Sequence, residues 1–197
     1  YVWEDYAEHD GVDEPKLHTQ RITLTKTSTG GPDDGPKIVI DFTGTSPQIS
    51  AGLNAPVSMV YAVSYCAVRG IVQRDIPNVE GYTIPIRVIA PEGSIVNPVY
   101  PAACGARGVV GYRAFDAIMG ALAELVPDRV MAAGEGGPTL IGIGGDSQNG
   151  RPFVLTEVLV GDWGARAGRD GPEGVSNPAA NLSNQPVEIT EAELPIR

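Results

Sequence analysis

The chain has 197 residues, 42% of them hydrophobic, which is enough to bury a sizeable core. Fourteen basic against twenty-four acidic residues give a formal charge of −10, which repels phosphate backbones and argues against a nucleic-acid partner. Asp, Arg, Gly or Pro interrupts every apolar run before it reaches membrane-spanning length, and the two cysteines, Cys66 and Cys104, lack metal or disulfide-framework spacing, so no membrane is expected and cytoplasm is the natural location.

Residues 1–14 mix aromatics with Glu4, Asp5, Glu8, Asp10, Asp13 and Glu14. They lack the alternating ligand positions of a calcium loop and read as a solvated acidic edge. Opening on YVWEDYAEHDGV with no basic-then-apolar leader, the chain reads as entering the middle of a larger fold. His18 to Thr27 alternates as a strand, STGGPDDGP supplies a turn with a mobile tip, and Lys37 to Phe42 returns as its partner. From Val57 the period changes: Val57, Val60, Tyr61, Ser64, Ala67, Val68 and Ile71 form one helical stripe, with Asn54 as its cap and Pro56 in its first turn. Cys66 within it reads as a small core residue.

Ile86 to Ala90 makes a short strand, and PEGSIVNPVYPAACGAR is a firmly shaped loop, either the wall of a cleft or a stiff connector. Val109 to Val126 is a second helix, with Ala114, Ile118, Ala121, Leu122 and Leu125 on its buried stripe and Arg113, Asp116 and Glu124 pointing elsewhere. Gly111 and Gly120 inside it imply close approach to another backbone. Thr139 to Ile143 and Phe153 to Val160 pair as antiparallel strands. These elements amount to an α+β fold, largely antiparallel strands with two principal helices packed on one side, in one continuous domain over residues 1–197.

Gly161 to Arg197 is dense in glycines and side-chain amides, a composition that marks sharp turns or close approach. Arg166 and Arg169 could grip a carboxylate or phosphate, and Asn181 and Asn184 an amide; equally, the arginines could pair with Asp162, Asp170 or Glu173 and the asparagines close their own turns. Glu135 in GEGGP would be a general base if buried and is otherwise a loop carboxylate. No phosphate-cradling GxxxxGK[ST] and no GxSxG elbow occurs, and His9 and His18, both near the start, cannot build a multi-histidine metal site in the middle of the chain.

DFTGTSPQISAGLNAPVSMV resembles the hydantoinase B family, which includes the B-type component of N-methylhydantoinase, the C-terminal half of 5-oxoprolinase and the large subunits of acetone and acetophenone carboxylases. The later glycine, aromatic, Gly-Ala-Arg, Asp-Gly passage followed by paired asparagines and Pro-Val-Glu extends the resemblance through Gly164, Ala165, Arg166, Asp170, Gly171, Asn181, Asn184, Pro186, Val187 and Glu188. Together with the chemical reading of the arginines above, it makes Arg166, Arg169, Asp170, Asn181, Asn184 and Glu188 the substrate-binding candidates. The resemblance implies the middle-to-late portion of a B-type subunit in an ATP-dependent cyclic-amide hydrolase; a ketone-carboxylase component and a non-catalytic assembly module are the alternatives. It also implies a hetero-oligomer with an ATP-binding A-type subunit and with a metal-bearing N-terminal B-type portion. The family's His-x-x-Asp metal stretch is missing here, so ATP and the divalent metal are expected in other regions or subunits, and no catalytic residue carries over.

Overall fold

The computed structural model describes residues 1–27, 35–72, 75–147, 149–180 and 182–193. The turn tip expected to be mobile falls at 28–34, and the candidate Asn181 at position 181, so both lie outside the described residues.

A four-stranded sheet forms the floor: β1 (Val2–Glu8), β2 (Leu17–Lys26), β3 (Ile38–Asp41) and β4 (Ile86–Ile89), in that order across the sheet. The first two junctions are antiparallel, whereas β4 runs parallel to β3. A parallel neighbour needs a long crossover, supplied here by α1 (Val57–Ile71) and the short α2 (Glu80–Thr83). β1 corrects the expectation of a merely solvated edge. Its acidic side chains are accommodated by partners: Glu4 meets Arg21 of β2 at 2.5 Å, and Asp5 lies 3.5 Å from Arg113. Asp10 holds the amides of Val12 and Asp13 at 3.0 and 2.9 Å, and these bonds keep its carboxyl below the usual range.

The second principal helix, α3 (Arg107–Ala123), lies over β1 and β2 and packs against α1, which also reaches β4. Ile22, Leu24, Ile40 and Val88 rise from the sheet to meet Val60, Val63, Ala67 and Val68 of α1 and Phe115, Ile118 and Leu122 of α3 in one core. Both helices thus cover the same face. In α1 the buried stripe includes Val63, while Tyr61 stays exposed and stacks on Tyr65 with ring centroids 6.1 Å apart. Cys66 is half-buried, and burial pushes its thiol up.

Asn54 does not cap α1. It is fully buried; its Oδ1 accepts from the Ile49 amide at 2.9 Å, and its Nδ2 donates to the carbonyls of Ile49, Ala51 and Ala103 at 2.8, 3.0 and 2.8 Å. Pro56 occupies the N-cap position with no side-chain cap bond, so the asparagine is free to serve the loop instead. The same loop is stitched to the proline-rich passage through Gln48 to Gly93, Ala55 to Ile95 and Ala106 to Gly52 backbone bonds. That passage therefore works as a stiff connector.

α3 carries eleven buried residues on all sides, so its glycines meet side chains and not backbone. A Cβ at Gly111 would lie 2.2 Å from Met59, and one at Gly120 would lie 2.4 Å from the Trp3 indole. Beyond a short 3-10 turn (Pro127–Arg129), β5 (Thr139–Asp146) and β6 (Pro152–Leu159) form a separate antiparallel hairpin, and α4 (Val187–Glu193) follows the glycine-rich passage. Among the described residues no helix is long and apolar enough to cross a membrane.

Candidate functional site

The glycine-rich passage after β6 is folded back on residues 131–135, and its glycines are required where the two backbones cross. A Cβ at Gly164 would lie 2.0 Å from the Ala132 carbonyl oxygen, and one at Gly171 2.0 Å from that of Trp163. The crossing is hydrogen-bonded by the Ala132 amide, which donates to Ala165 at 2.9 Å, and the passage folds on itself through Trp163 to Pro172 at 3.2 Å and Gly174 to Gly161 at 2.7 Å. Trp163 anchors the inside of the loop by donating its indole N–H to the Ser176 carbonyl.

The sequence candidates occupy several parts of this assembly. Arg166 is half-buried with its guanidinium 5.8 Å from the Trp163 ring centroid, a cation–π contact, and its Nε has no hydrogen-bond partner. Its backbone pairs reciprocally with Arg169 at 2.9 and 3.1 Å, which brings Arg166, Arg169 and Asp170 onto one turn with the last two exposed. Asn184 is occupied elsewhere: its Oδ1 accepts from the Val160 amide and its Nδ2 donates to the Val160 carbonyl, both at 2.8 Å. Glu188 stands exposed in the first turn of α4. Glu135 is exposed, and its carboxylate receives the Gly161 amide at 2.5 Å, so it pins the start of the passage.

A buried polar cluster beneath the loop involves residues that sequence patterning assigned no role. Asp116 of α3 is only 5% exposed, which corrects the expectation that it points away from the core. Its Oδ1 accepts from Asn177 Nδ2 at 3.0 Å, and its Oδ2 faces Arg113 Nη2 at 3.2 Å. Arg113 in turn reaches Asp5 at 3.5 Å. The guanidinium needs a glycine beside it, since a Cβ at Gly136 would sit 0.9 Å from Nη2. Burial pushes the Asp116 carboxyl up to about 7; Arg113 opposes the shift, Asp5 adds to it, and the Asn177 bond opposes it again. A carboxyl of that kind can give or take a proton near neutrality. The Arg113-x-x-Asp116 spacing was the available signal, since residues three apart on a helix are neighbours.

Asp116 and Asp5 also line an open cleft of about 560 Å³, walled by Trp3, Met119, Ala133 and Ala165. The cleft lies between α3, β1 and the crossed loops, and its mostly apolar walls with a few polar groups match the general form of a small-molecule site. A metal does not fit the side chains present: among the described residues no group of three or more His, Cys, Asp or Glu is arranged to hold one. His18 is buried with Nε2 3.6 Å from Asp10.

Known proteins are similar to this chain in sequence and in fold. The chain is 34% identical over 192 residues to a putative D-/L-hydantoinase of the B-subunit type from Pseudomonas sp. (strain NS671), covering 94% of the chain and 31% of that relative. It is 26% identical over 190 residues to 5-oxoprolinase 1 of Arabidopsis thaliana, covering 96% of the chain and 14% of that relative. Its fold matches nucleotide-free acetone carboxylase with a TM-score of 0.79 at 15% identity, over 98% of this chain and 27% of that one. It also matches the ATP-dependent caprolactamase from Pseudomonas jessenii with a TM-score of 0.70 at 19% identity, over 98% and 33%. The chain therefore spans less than a third of the curated relatives it matches. The hydantoinase B/oxoprolinase family model matches residues 1–197, and the chain belongs to that family.

Proposed function

We propose that this chain is the middle-to-late portion of a B-type subunit in a cytoplasmic, ATP-dependent enzyme that hydrolyses cyclic amides of the hydantoin or 5-oxoproline type. The observation that carries this reading is the alignment of nearly the whole chain, at 34% identity, with a putative B-type hydantoinase component. Within the enzyme the chain supplies scaffold and part of the substrate pocket. The Arg166, Arg169 and Asp170 turn binds the substrate or its carboxylate, Glu188 adds to that site, and Asn184 supports it by holding the Val160 backbone. ATP is held by an A-type partner and the divalent metal by the N-terminal B-type portion, because the donor set among the described residues does not suit a metal. No chemical step is assigned to either group through this chain.

The test is tagged co-purification from the native source, followed by metal analysis and assay of the recovered complex. Recovery with an ATP-binding protein, a metal-bearing B-type portion and ATP-dependent opening of hydantoin or 5-oxoproline is the expected result. Turnover of acetone or acetophenone with bicarbonate and not of cyclic amides would move the chain to the carboxylase reading, in whose favour stands the shared fold. A complex whose turnover is indifferent to Arg166→Ala and Arg169→Ala would reduce the chain to an assembly module.

A further inference from the structure

The β5–β6 hairpin is built like an interior element, but among the described residues no helix or strand packs over it, and its side chains range from half-buried to fully exposed. Two-stranded sheets are marginal in water on their own, and an ordinary surface hairpin has one polar face. This one has apolar residues on both. Register places Ile141, Ile143, Phe153, Leu155 and Leu159 on one face, and Leu140, Val154 and Val158 on the other. Every residue of β5 is exposed, Leu140 is 66% exposed and Val154 84%. On that face Gly142 follows Leu140 along β5 and Gly144 is paired with Val154, and a Cβ at Gly142 would meet nothing within 4 Å. Among the described residues no neighbour accounts for a glycine there, whereas a strand glycine often marks the approach of another backbone. Among the described residues neither outer edge is paired, because the hairpin is a sheet of two strands.

We infer that the β5–β6 hairpin is a docking arm, sandwiched on both faces by the part of a hydantoinase B-type subunit that lies outside these 197 residues. This rests on the B-type membership used in the functional proposal. The occupant is suggested by the solved folds that contain this one: the chain accounts for only 27% and 33% of those two proteins, so each carries two to three times as much polypeptide besides the part that matches. The arm's chemistry agrees with an apolar, subunit-interior contact. Between positions 139 and 159 the ionisable residues are Asp146, Arg151 and Glu157, too few for a surface recognised by charge. The arm also leads straight into the candidate site, since β6 continues through Val160 and Gly161, the two residues gripped by Asn184 and Glu135. Docking would thereby fix the start of the substrate-side loop against the remainder of the subunit.

Photo-crosslinking in the native host tests this. A benzophenone amino acid is placed at position 143 or 154, with position 84, where the exposed Ile84 lies outside the hairpin between α2 and β4, as control. The expected crosslinks from 143 and 154 go to hydantoinase B-type sequence outside residues 1–197, with none from 84. The Ile143→Lys/Leu155→Lys double variant is expected to lower the yield at 154 about tenfold, as removal of a central apolar anchor does, while the chain's circular-dichroism melt stays unchanged. Crosslinks to a second copy, to an ATP-binding subunit or to nothing would overturn the proposal, as would an unchanged yield in the variant. Crosslinks to B-type sequence in a complex that opens no cyclic amide would leave the arm and remove the hydrolase; turnover without those crosslinks would do the reverse.

Discussion

Among the described residues Asp116 is a carboxyl that burial holds far from its ordinary behaviour. Burial raises its carboxyl to about 7, above the ordinary value near 4 that it has in the unfolded chain. Between those values the folded state holds a proton that the unfolded state has lost, so stability from this group is complete below about pH 4 and declines as pH rises through about 7. Asp116→Asn removes the dependence. The variant's urea stability should rise relative to wild type between pH 5 and pH 8, by on the order of a few kcal/mol; a difference independent of pH would show that Asp116 ionises normally. Asn177→Ala deletes the bond that favours the carboxylate, so a ¹³C titration of Asp116 should move further up. Asn184 makes a purely structural prediction. Replacing it by Ala leaves the Val160 N–H and C=O without their side-chain partner and should cost about 1–3 kcal/mol, read by chemical denaturation and by faster exchange of the Val160 amide.

At the level of elements, α3 shows how packing overrides propensity. Gly120→Ala would ordinarily stabilise a helix by about 1 kcal/mol. Here the new methyl collides with the Trp3 indole, 2.4 Å away, so the variant should lose about 1–3 kcal/mol and shift Trp fluorescence as β1 is pushed off the helix. A stabilised variant with unchanged fluorescence would refute that packing. The same residues explain which elements were legible beforehand. α1, the β2–β3 return and the β5–β6 pair announce themselves through period and turn chemistry, which are local. β1 does not, because its carboxylates find their cations on β2 and α3. Asn54 looked like a cap because capping is the local use of an asparagine before a helix, while its actual partners include Ala103 across the fold. The glycines and asparagines marked the loop after β6 as special. The Arg113, Asp116 and Asn177 cluster was half visible at most, since Asn177 enters it from 61 residues away.

The whole molecule divides into a core that closes on itself and an arm that does not. The sheet, α1 and α3 share one buried cluster, whereas β5 contributes no buried residue. Local stability follows buried apolar contact, so native-state hydrogen exchange on the isolated chain should find β5 and β6 opening at far lower free energy than β2 and α3. A deletion tests the division directly. Thr139 and Leu159 are paired across the base of the hairpin, which puts their Cα atoms about 5 Å apart, a gap that a Gly-Ser-Gly link spans. Replacing 139–159 by that link should leave the melting temperature of the remaining chain within a few degrees of wild type, because no part of the core cluster is removed. The deleted chain should nevertheless fail to join its B-type complement. Collapse of the core on deletion would mean that the hairpin is packed against its own chain and that its exposed apolar faces have no external partner to meet.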